Sequence, residues 1–201
     1  FSMAASELRK LCDVYKRERE GAEAEGIQRL RDASRTGRIQ RYVRFGYPYG
    51  DLKPPQQTED TLPLRKPGWL PTAIVINILV DGDERRGRTL QREHIVSITE
   101  EDGARCSINL PGNTDFGDDG LAPFEVIDGQ HRLWAFDADK DSLAIPDDFE
   151  LPVVAFHGLD IAWQAYLFWS INVSPKRINP SHAFDLYPLL RTQDWLDRVG
   201  E

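Results

Sequence analysis

The feature that most constrains the fold is a run of aliphatic and β-branched residues at Ala73–Val80, which reads Ala-Ile-Val-Ile-Asn-Ile-Leu-Val. Pro71 and Gly82 stand on either side of the run, and it is too short for a typical helix. Strands that are buried on both faces have nearly continuous apolar sequences of this kind. We therefore predict a buried strand at this position.

Weaker patterns predict that this strand belongs to a mixed α/β (α+β) domain. Apolar residues spaced by three and four predict a helix from Ala4 to about Tyr15, and a further helix that extends to Val43 and breaks near Gly37. Short β-branched runs predict further strands at 94–99, 104–110, 124–127 and 151–156. The first two flank a Glu-Asp-Gly turn and are expected to form a hairpin. The remaining helices are predicted at 130–138 and 160–171.

The helix predicted at 160–171 is apolar over almost its whole length. Asp160 stands at its start and is expected to cap its N-terminus. Because the helix carries so little polar surface, its aromatic residues are predicted to fill the core rather than to stack on bases; they are Trp163, Tyr166, Phe168 and Trp169.

The chain of 201 residues, of which 40% are hydrophobic, is long enough to bury one core. We expect an N-terminal helical segment over residues 1–45 and a main domain over residues 46–201. The two residues before Met3 are interpreted as lying outside the fold. Six prolines mark 46–71 as a long irregular connection, of a kind that is often functional or mobile. The sequence at Asp194–Glu201 is typical of a secondary-structure element that is interrupted before its end, so we expect the main domain to be truncated.

Composition and charge exclude several classes of protein. The sequence has no run of about 18 apolar residues and no signal peptide, so we expect a cytoplasmic protein without a membrane partner. Cys12 and Cys106 lie far apart and predict neither a disulfide framework nor a thiolate zinc site. A formal net charge of −8 disfavours general coating of DNA, because that binding depends on Lys and Arg side chains that neutralise phosphates.

One local stretch departs from this acidic balance. Six arginines and a single aspartate lie between Arg29 and Arg44. Such a run is as often a solvated helix face as a binding surface, and the sequence leaves both interpretations open. If the stretch binds DNA, the contacts are expected from Arg35, Arg38, Arg41 and Arg44.

The clearest chemical signal is the pentapeptide Asp-Gly-Gln-His-Arg at Asp128–Arg132, between a predicted strand and a predicted helix. The start of a helix presents backbone N–H groups and the positive end of its dipole, and Gly129 permits the close approach of an anion. Arg132 adds a charge that can bind a phosphate through two hydrogen bonds. The alternative interpretation is structural, with Asp128 as a helix cap, Arg132 in a surface ion pair and His131 half-buried.

This pentapeptide is the signature of the DGQHR-domain family, and the chain resembles that family on either side of it. Gly68–Ile78 and Phe168–Asn172 are similar to the family's flanking pattern, and the resemblance covers the chain from about Arg29 onwards. The family in turn resembles the ParB and sulfiredoxin fold, a mixed sheet with flanking helices. In that fold a short motif at the start of a helix grips the phosphates of a nucleotide, and the resemblance implies the same activity here.

The resemblance also implies roles for the individual residues of the pentapeptide. Gly129 and Arg132 match positions of the phosphate-binding motif, and Gln130 is expected to contact the phosphates with them. Gln130 stands where sulfiredoxin has its catalytic cysteine, which excludes sulfinic-acid repair but not nucleotide binding. Asp128 is expected to hold Mg²⁺ or to orient water, and His131 to assist proton transfer.

A second match follows the last predicted helix. ParB-like proteins have a Glu-Asn pair and then Leu-Asn-Pro, and they use this region to contact metal and triphosphate. Here Asn172 and the Ile-Asn-Pro at 178–180 keep that register, although Ile171 replaces the Glu. A proline replaces the family's basic residue, and Lys176 and Arg177 are expected to serve in its place. Asn172 is therefore expected to bind nucleotide and Mg²⁺, or else to be a polar cap at the C-terminus of the helix.

The resemblance thus predicts a Mg²⁺-dependent nucleoside triphosphatase, with ATP favoured, that works with other proteins in a bacterial DNA-modification or phage-defence pathway. The alternative is a DNA-binding repressor of a phosphorothioation-type gene cluster, which would use the arginines before Gly46. A structural module that binds a protein partner is the third interpretation, and it leaves the pentapeptide without a role. The net negative charge counts against the repressor.

Overall fold

The computed structural model describes residues 1–13, 33–66, 68–85, 87–103, 105–117, 120–136, 145–146 and 148–173. It is a mixed α+β fold built on one five-stranded sheet. In chain order the elements are β1 (Ser2–Ala4), α1 (Ala5–Leu11), β2 (Cys12–Asp13), α2 (Ala33–Phe45), β3 (Ile74–Ile78), β4 (Glu84–Arg85), β5 (Arg88–Thr89), β6 (Ser97–Glu100), β7 (Cys106–Asn109), β8 (Phe124–Asp128), α3 (Gln130–Trp134), β9 (Glu150–His157) and α4 (Ile161–Asn172).

The strand predicted from the aliphatic run is confirmed as β3, and it is the central strand of the sheet. The strand order is β1-β9-β3-β8-β2. Strand β3 pairs in parallel with β9 and antiparallel with β8, whereas β1 and β2 pair at the two edges. Because β3 has a neighbour on each side, its backbone N–H and C=O groups are used within the sheet.

One face of the sheet carries the main core. Helices α1 and α3 cover this face, and the buried apolar residues of the core come from these helices and the strands beneath them, with Val96 added from the connection before β6. The cluster comprises Ala5, Leu8, Leu11, Cys12, Ile74, Ile76, Ile78, Val96, Phe124, Val126, Leu133, Trp134, Leu151 and Val153. Burial of one such Leu, Ile or Phe side chain contributes roughly 1.5–3 kcal/mol. Burial also raises the pKa of the Cys12 thiol, so this cysteine behaves as an apolar core residue.

The pairing of β3 with β8 contains an irregularity beside the pentapeptide. Ile76 pairs with Val126, but Val75 pairs with Asp128, so β8 has one more residue than β3 between these pairs. Side chains alternate between the two faces of a strand. In a regular strand, Asp128 would point to the same face as Val126 and the core, because it lies two residues later. The bulge instead turns Asp128 to the opposite face, which it shares with Glu125.

Several other predictions are confirmed with shifted ends. The hairpin predicted at 94–110 is present as β6 and β7, and the strands predicted at 124–127 and 151–156 are β8 and β9. The helix predicted from Ala4 ends at Leu11, after which β2 pairs with β8. Among the described residues, no helix combines the length and the apolar character that a membrane crossing requires.

Three expectations about the first 71 residues are wrong. Helix α2 continues through Gly37 without a break, since one glycine costs a helix only about 1 kcal/mol. Residues 1–13 are not only helical, because they supply the edge strands β1 and β2 and the residue before Met3 belongs to β1. The connection after α2 contains three short 3₁₀ turns and an apolar cluster of its own, formed by Tyr49, Leu52, Leu64 and Phe45.

The prediction that α4 buries its aromatic residues is wrong for three of the four. The exposed fraction is 57% for Trp163, 55% for Tyr166 and 52% for Trp169, and only Phe168 is partly buried. The predicted N-cap is confirmed, because the Trp163 backbone N–H donates to Asp160 Oδ1 at 2.8 Å. The helix presents its polar Gln164 to the sheet instead, and Gln164 is its only buried residue.

Gln164 is buried because the face of the sheet under α4 carries a charged pair. The Arg85 guanidinium donates to both oxygens of Glu125 at distances of 2.9 to 3.1 Å, and Gln164 Nε2 donates to Glu125 Oε2 at 2.8 Å. The side chains of Arg85 and Glu125 are only 7% and 6% exposed. This network ties β4, β8 and α4 together.

We expect Glu125→Leu to lower the free energy of unfolding by about 3–5 kcal/mol, because it removes the carboxylate that the guanidinium contacts share and leaves the buried Arg85 with the more distant carboxylate of Asp83, at 3.6 Å. The double variant Arg85→Met/Glu125→Leu should recover much of that loss, since both charges are then gone. Denaturant unfolding followed by circular dichroism measures both values. Glu100→Leu on the exposed hairpin is the matched control and should change stability by less than about 0.5 kcal/mol. An equally small effect of Glu125→Leu would contradict the role of the pair.

Candidate functional site

The pentapeptide forms a tight turn between strand β8 and helix α3. Gly129 lies in the left-handed region with φ 96° and ψ 10°, and its carbonyl accepts from the N–H groups of Arg132 and Leu133 at 2.9 and 3.0 Å. A Cβ atom on Gly129 would lie 2.8 Å from both Ile74 Cδ1 and Arg132 Nη2. Glycine is therefore required here by its backbone conformation and also by the space around it.

Helix α3 is shorter than predicted but is anchored as expected. It extends over Gln130–Trp134, and the end predicted at residue 138 lies outside the described residues. Leu133 and Trp134 are buried in the main core, which fixes the orientation of the turn that precedes them. The His131 ring packs edge to face against Trp134, with 6.1 Å between ring centroids.

A cavity of about 420 Å³ opens beside the turn. Four separate parts of the chain line it: helix α2, the connection before β3, the pentapeptide and helix α4. The lining residues are Arg35, Ile39, Leu70, Asp128, Gly129, Gln130, His131, Arg132, Phe168 and Asn172. The structure thus brings all five residues of the pentapeptide and Asn172 to one concave surface, although 40 residues separate Arg132 from Asn172 in the sequence.

Asp128 is the meeting point of the polar side chains at this cavity. Arg132 Nη2 donates to Asp128 Oδ2 at 3.0 Å, and Asn172 Nδ2 donates to Asp128 Oδ1 at 3.2 Å. Arg132 Nη2 also donates to the carbonyl of Ala73 at 2.9 Å. The structural interpretation predicted an ion pair for Arg132, and one exists, but it lies in the cavity wall with both side chains about 20% exposed.

The Arg132 guanidinium is oriented by these contacts but is not saturated by them. Its Nε is buried and has no hydrogen-bond partner among the described residues. A guanidinium has five N–H donors, so hydrogen bonds to Asp128 and Ala73 leave capacity for an acceptor in the cavity.

Asn172 lies at the end of α4, where the second match to ParB-like proteins expected it to be near the motif. Its Nδ2 donates to the Phe168 carbonyl at 2.9 Å as well as to Asp128. The contact with the Phe168 carbonyl agrees with the polar role at the end of the helix, and binding of nucleotide and Mg²⁺ by Asn172 stays a prediction. Lys176 and Arg177 lie outside the described residues. Within the described ranges, no group of three or more His, Cys, Asp or Glu side chains could hold a metal ion by itself.

The four arginines predicted as DNA contacts do not share one face of α2. They are spaced by three residues, so each is rotated by about 60° from the one before it. Arg35 lines the cavity, Arg38 is exposed elsewhere on the helix, and Arg41 donates to the carbonyl of Gly50 from Nε and Nη2 at 3.2 and 3.1 Å. Arg44 is partly buried.

Arg35 is the cavity residue that sequence reasoning assigned to a different role. The basic run directed attention to all six arginines together, and an apolar residue four positions later does not single out Arg35, since Arg38 and Arg41 are followed in the same way by aromatic residues. Arg35 and Ile39 both line the cavity. Leu70 and Phe168 were also missed as lining residues, and no sequence signal separates them from other apolar residues.

Comparisons with known proteins identified no relative of the chain. No protein-family model matches the chain, and neither the curated proteins nor the solved structures contain a match. The class that fold and cavity define is a mixed α+β domain with a polar cavity at the C-terminal end of the inner strand β8. The resemblance to the DGQHR-domain family depends on the sequence motifs alone.

We expect Gly129→Ala to lower the free energy of unfolding by at least about 1–3 kcal/mol, because alanine in the left-handed region is strained and its Cβ would crowd Ile74. The matched control is Gly37→Ala in α2, where no atom lies within 4 Å of the added Cβ. That substitution should raise stability by roughly 0.5–1 kcal/mol. Urea unfolding of both variants tests the pair, and a Gly129→Ala protein as stable as the wild type would show that the turn tolerates a side chain.

Proposed function

We propose that the cavity binds the phosphates of a nucleoside triphosphate, with ATP favoured, and that the chain is a Mg²⁺-dependent nucleoside triphosphatase. The observation that carries the proposal is the convergence of Arg35, Arg132, Asp128 and Asn172 around the glycine turn. The proposed setting, a bacterial DNA-modification or phage-defence pathway with other proteins as partners, depends on the family resemblance alone.

The size and charge of the cavity support an anionic small molecule. A volume of about 420 Å³ lies within the range of roughly 300–1,000 Å³ that is typical of small-molecule sites. Among the described residues, two arginines and one aspartate line it, so this part of the lining is formally positive although the whole chain has a charge of −8. The apolar lining from Ile39, Leu70 and Phe168 offers a surface for the uncharged part of a nucleotide.

The Asp128–Arg132 ion pair can be replaced when a ligand binds, because each of its charges can pair with a group of the ligand instead. A phosphate is a bidentate acceptor for guanidinium groups and would compete with Asp128 for Arg132. Asp128 would then face the phosphates without its counter-charge, which disfavours binding unless a cation joins it. Binding of the anion to Arg132 and of a cation to Asp128 is therefore coupled.

The residues present fit a Mg²⁺ ion that arrives with the nucleotide. Mg²⁺ is commonly bound through one or two carboxylates together with substrate phosphates and water, and the cavity offers the Asp128 carboxylate and the Asn172 amide. When bound, Mg²⁺ would neutralise charge that develops on the phosphates. Asp128 would hold the ion or orient the attacking water, and His131, which lines the same cavity, would assist proton transfer.

We expect Arg132→Ala and Arg35→Ala each to weaken ATP binding about ten- to a hundredfold, because each removes a charge-assisted contact with phosphate worth about 1.5–3 kcal/mol. Isothermal titration calorimetry with ATP, with and without Mg²⁺, measures the change. Arg38→Ala is the matched control, since Arg38 is an exposed arginine of the same helix outside the cavity. Unchanged affinity in both cavity variants, with the fold intact, would refute the proposal.

We expect Asp128→Asn to lower Mg²⁺-dependent phosphate release from ATP by orders of magnitude, while metal-free ATP affinity stays level or improves. The reason is that asparagine keeps the shape of Asp128 but removes a charge that repels phosphate and binds Mg²⁺. Phosphate release and calorimetry measure the two quantities on the same protein. If the variant unfolds, or releases phosphate at the wild-type rate, Asp128 has a structural role only.

A further inference from the structure

Three residues of α4 form a row along the face that meets the sheet. Gln164, Phe168 and Asn172 are spaced by four residues, and such i, i+4 rows form a ridge on a helix surface. Gln164 is 1% exposed, whereas Phe168 and Asn172 line the cavity. The same ridge therefore contains a buried amide at one end and a wall of the cavity at the other.

Among the described residues, apolar packing contributes little to the position of α4. Its large apolar residues are mostly exposed, and Gln164 is its only buried residue. Gln164 Nε2 donates to Glu125 Oε2 at 2.8 Å and to the Leu159 carbonyl at 3.2 Å. Because Arg85 fixes both oxygens of Glu125, the acceptor that Gln164 binds is itself rigidly held.

The residue before the cap of α4 is held by a second buried amide. Asn77 of β3 is fully buried, its Nδ2 donates to the Leu159 carbonyl at 3.1 Å, and its Oδ1 accepts from the Leu159 N–H at 2.9 Å. Asn77 and Glu125 are directly paired residues on β3 and β8. Two adjacent strands thus hold the start of α4 through polar contacts.

The far end of α4 meets the same strand. Gln164 and Asn172 are eight residues apart, which is about 12 Å along a helix. Their acceptors Glu125 and Asp128 pair with Asn77 and Val75 of β3, so the bulge leaves them about two strand residues, or roughly 7 Å, apart along the sheet. Each amide nonetheless reaches one carboxylate of β8, and the bulge is what turns Asp128 towards the helix.

We propose that Gln164 is a positioning residue for the cavity: by binding Glu125, it sets where α4 lies along β8 and so places Asn172 against Asp128 and Phe168 in the wall. The effect of this positioning on ligand binding rests on the proposed function. Glutamine suits this position because it donates to a carboxylate that already carries a bound guanidinium. A glutamate there would repel Glu125, and an apolar residue would offer it no hydrogen.

The first test needs no ligand and uses the side-chain amide signal of Asn172 in ¹⁵N-correlated NMR spectra, assigned by its loss in Asn172→Ala. Gln164→Met keeps length and apolar volume but removes the donor. We expect the Asn172 signal of this variant to move towards its position in Asp128→Ala, where the acceptor is gone. Gln164→Asn, which keeps the amide but is one methylene shorter, should give a smaller movement in the same direction.

Tyr166→Leu on the exposed face of α4 is the matched control and should leave the Asn172 signal in place. A merely structural role for Gln164 would lower stability without moving this signal. If the Asn172 signal of Gln164→Met and Gln164→Asn coincides with that of the wild type, the positioning role is overturned.

The second test measures ATP affinity in a double-mutant cycle. We expect Gln164→Met to weaken ATP binding about tenfold, because the misplaced Asn172 would lose its contact with the charged ligand. For the same reason, Asn172→Ala should have little further effect in that background. If the wild type binds no nucleotide, the proposed function fails while the NMR test still decides the role of Gln164. If the wild type binds ATP and Gln164→Met binds it equally well, the positioning role is overturned and the proposed function stands.

Discussion

The Glu125 carboxylate lies inside the protein, where it accepts three hydrogen bonds from Arg85 and one from Gln164. Removing a carboxylate and a guanidinium from water costs several kcal/mol for each ion, and only close, well-oriented partners offset this. Strands β4 and β8 and helix α4 must therefore be in place together, because each supplies a member of the network. The end of β8, with Asp128, takes its position from this arrangement.

A carboxylate and a guanidinium meet again at Asp128 and Arg132, but with a different consequence. The Arg85–Glu125 pair is almost completely buried, whereas both side chains of the cavity pair are about 20% exposed. Water and ions can reach the second pair, so its partners can be exchanged, and the cost of separating its charges is lower than in the interior. Both pairs join a guanidinium to a carboxylate, so their different burial is what distinguishes the pair that stabilises the fold from the pair suited to bind a ligand.

The sequence predicted the parts of the fold that depend on local patterns. The run around Ile76 defined the central strand, Asp160 marked the start of α4, and the pentapeptide marked a strand, turn and helix. It did not predict β1 and β2, which have three and two residues and exist only through their pairing partners. It also misplaced the aromatic residues of α4, because composition does not reveal which face of an apolar helix meets the sheet. Likewise, a network that joins Arg85 to Glu125 across 40 residues leaves no local pattern.

One side of helix α4 lines the cavity, and another side is exposed to solvent. Phe168 and Asn172 face the cavity, while Trp163 and Trp169 stand more than half exposed on the same helix. Indole emission depends on how much water surrounds the ring and on which groups lie near it. The two tryptophans therefore report on the helix that forms the cavity wall, and a displacement of that helix would shift the wavelength of the protein's tryptophan emission without any attached dye.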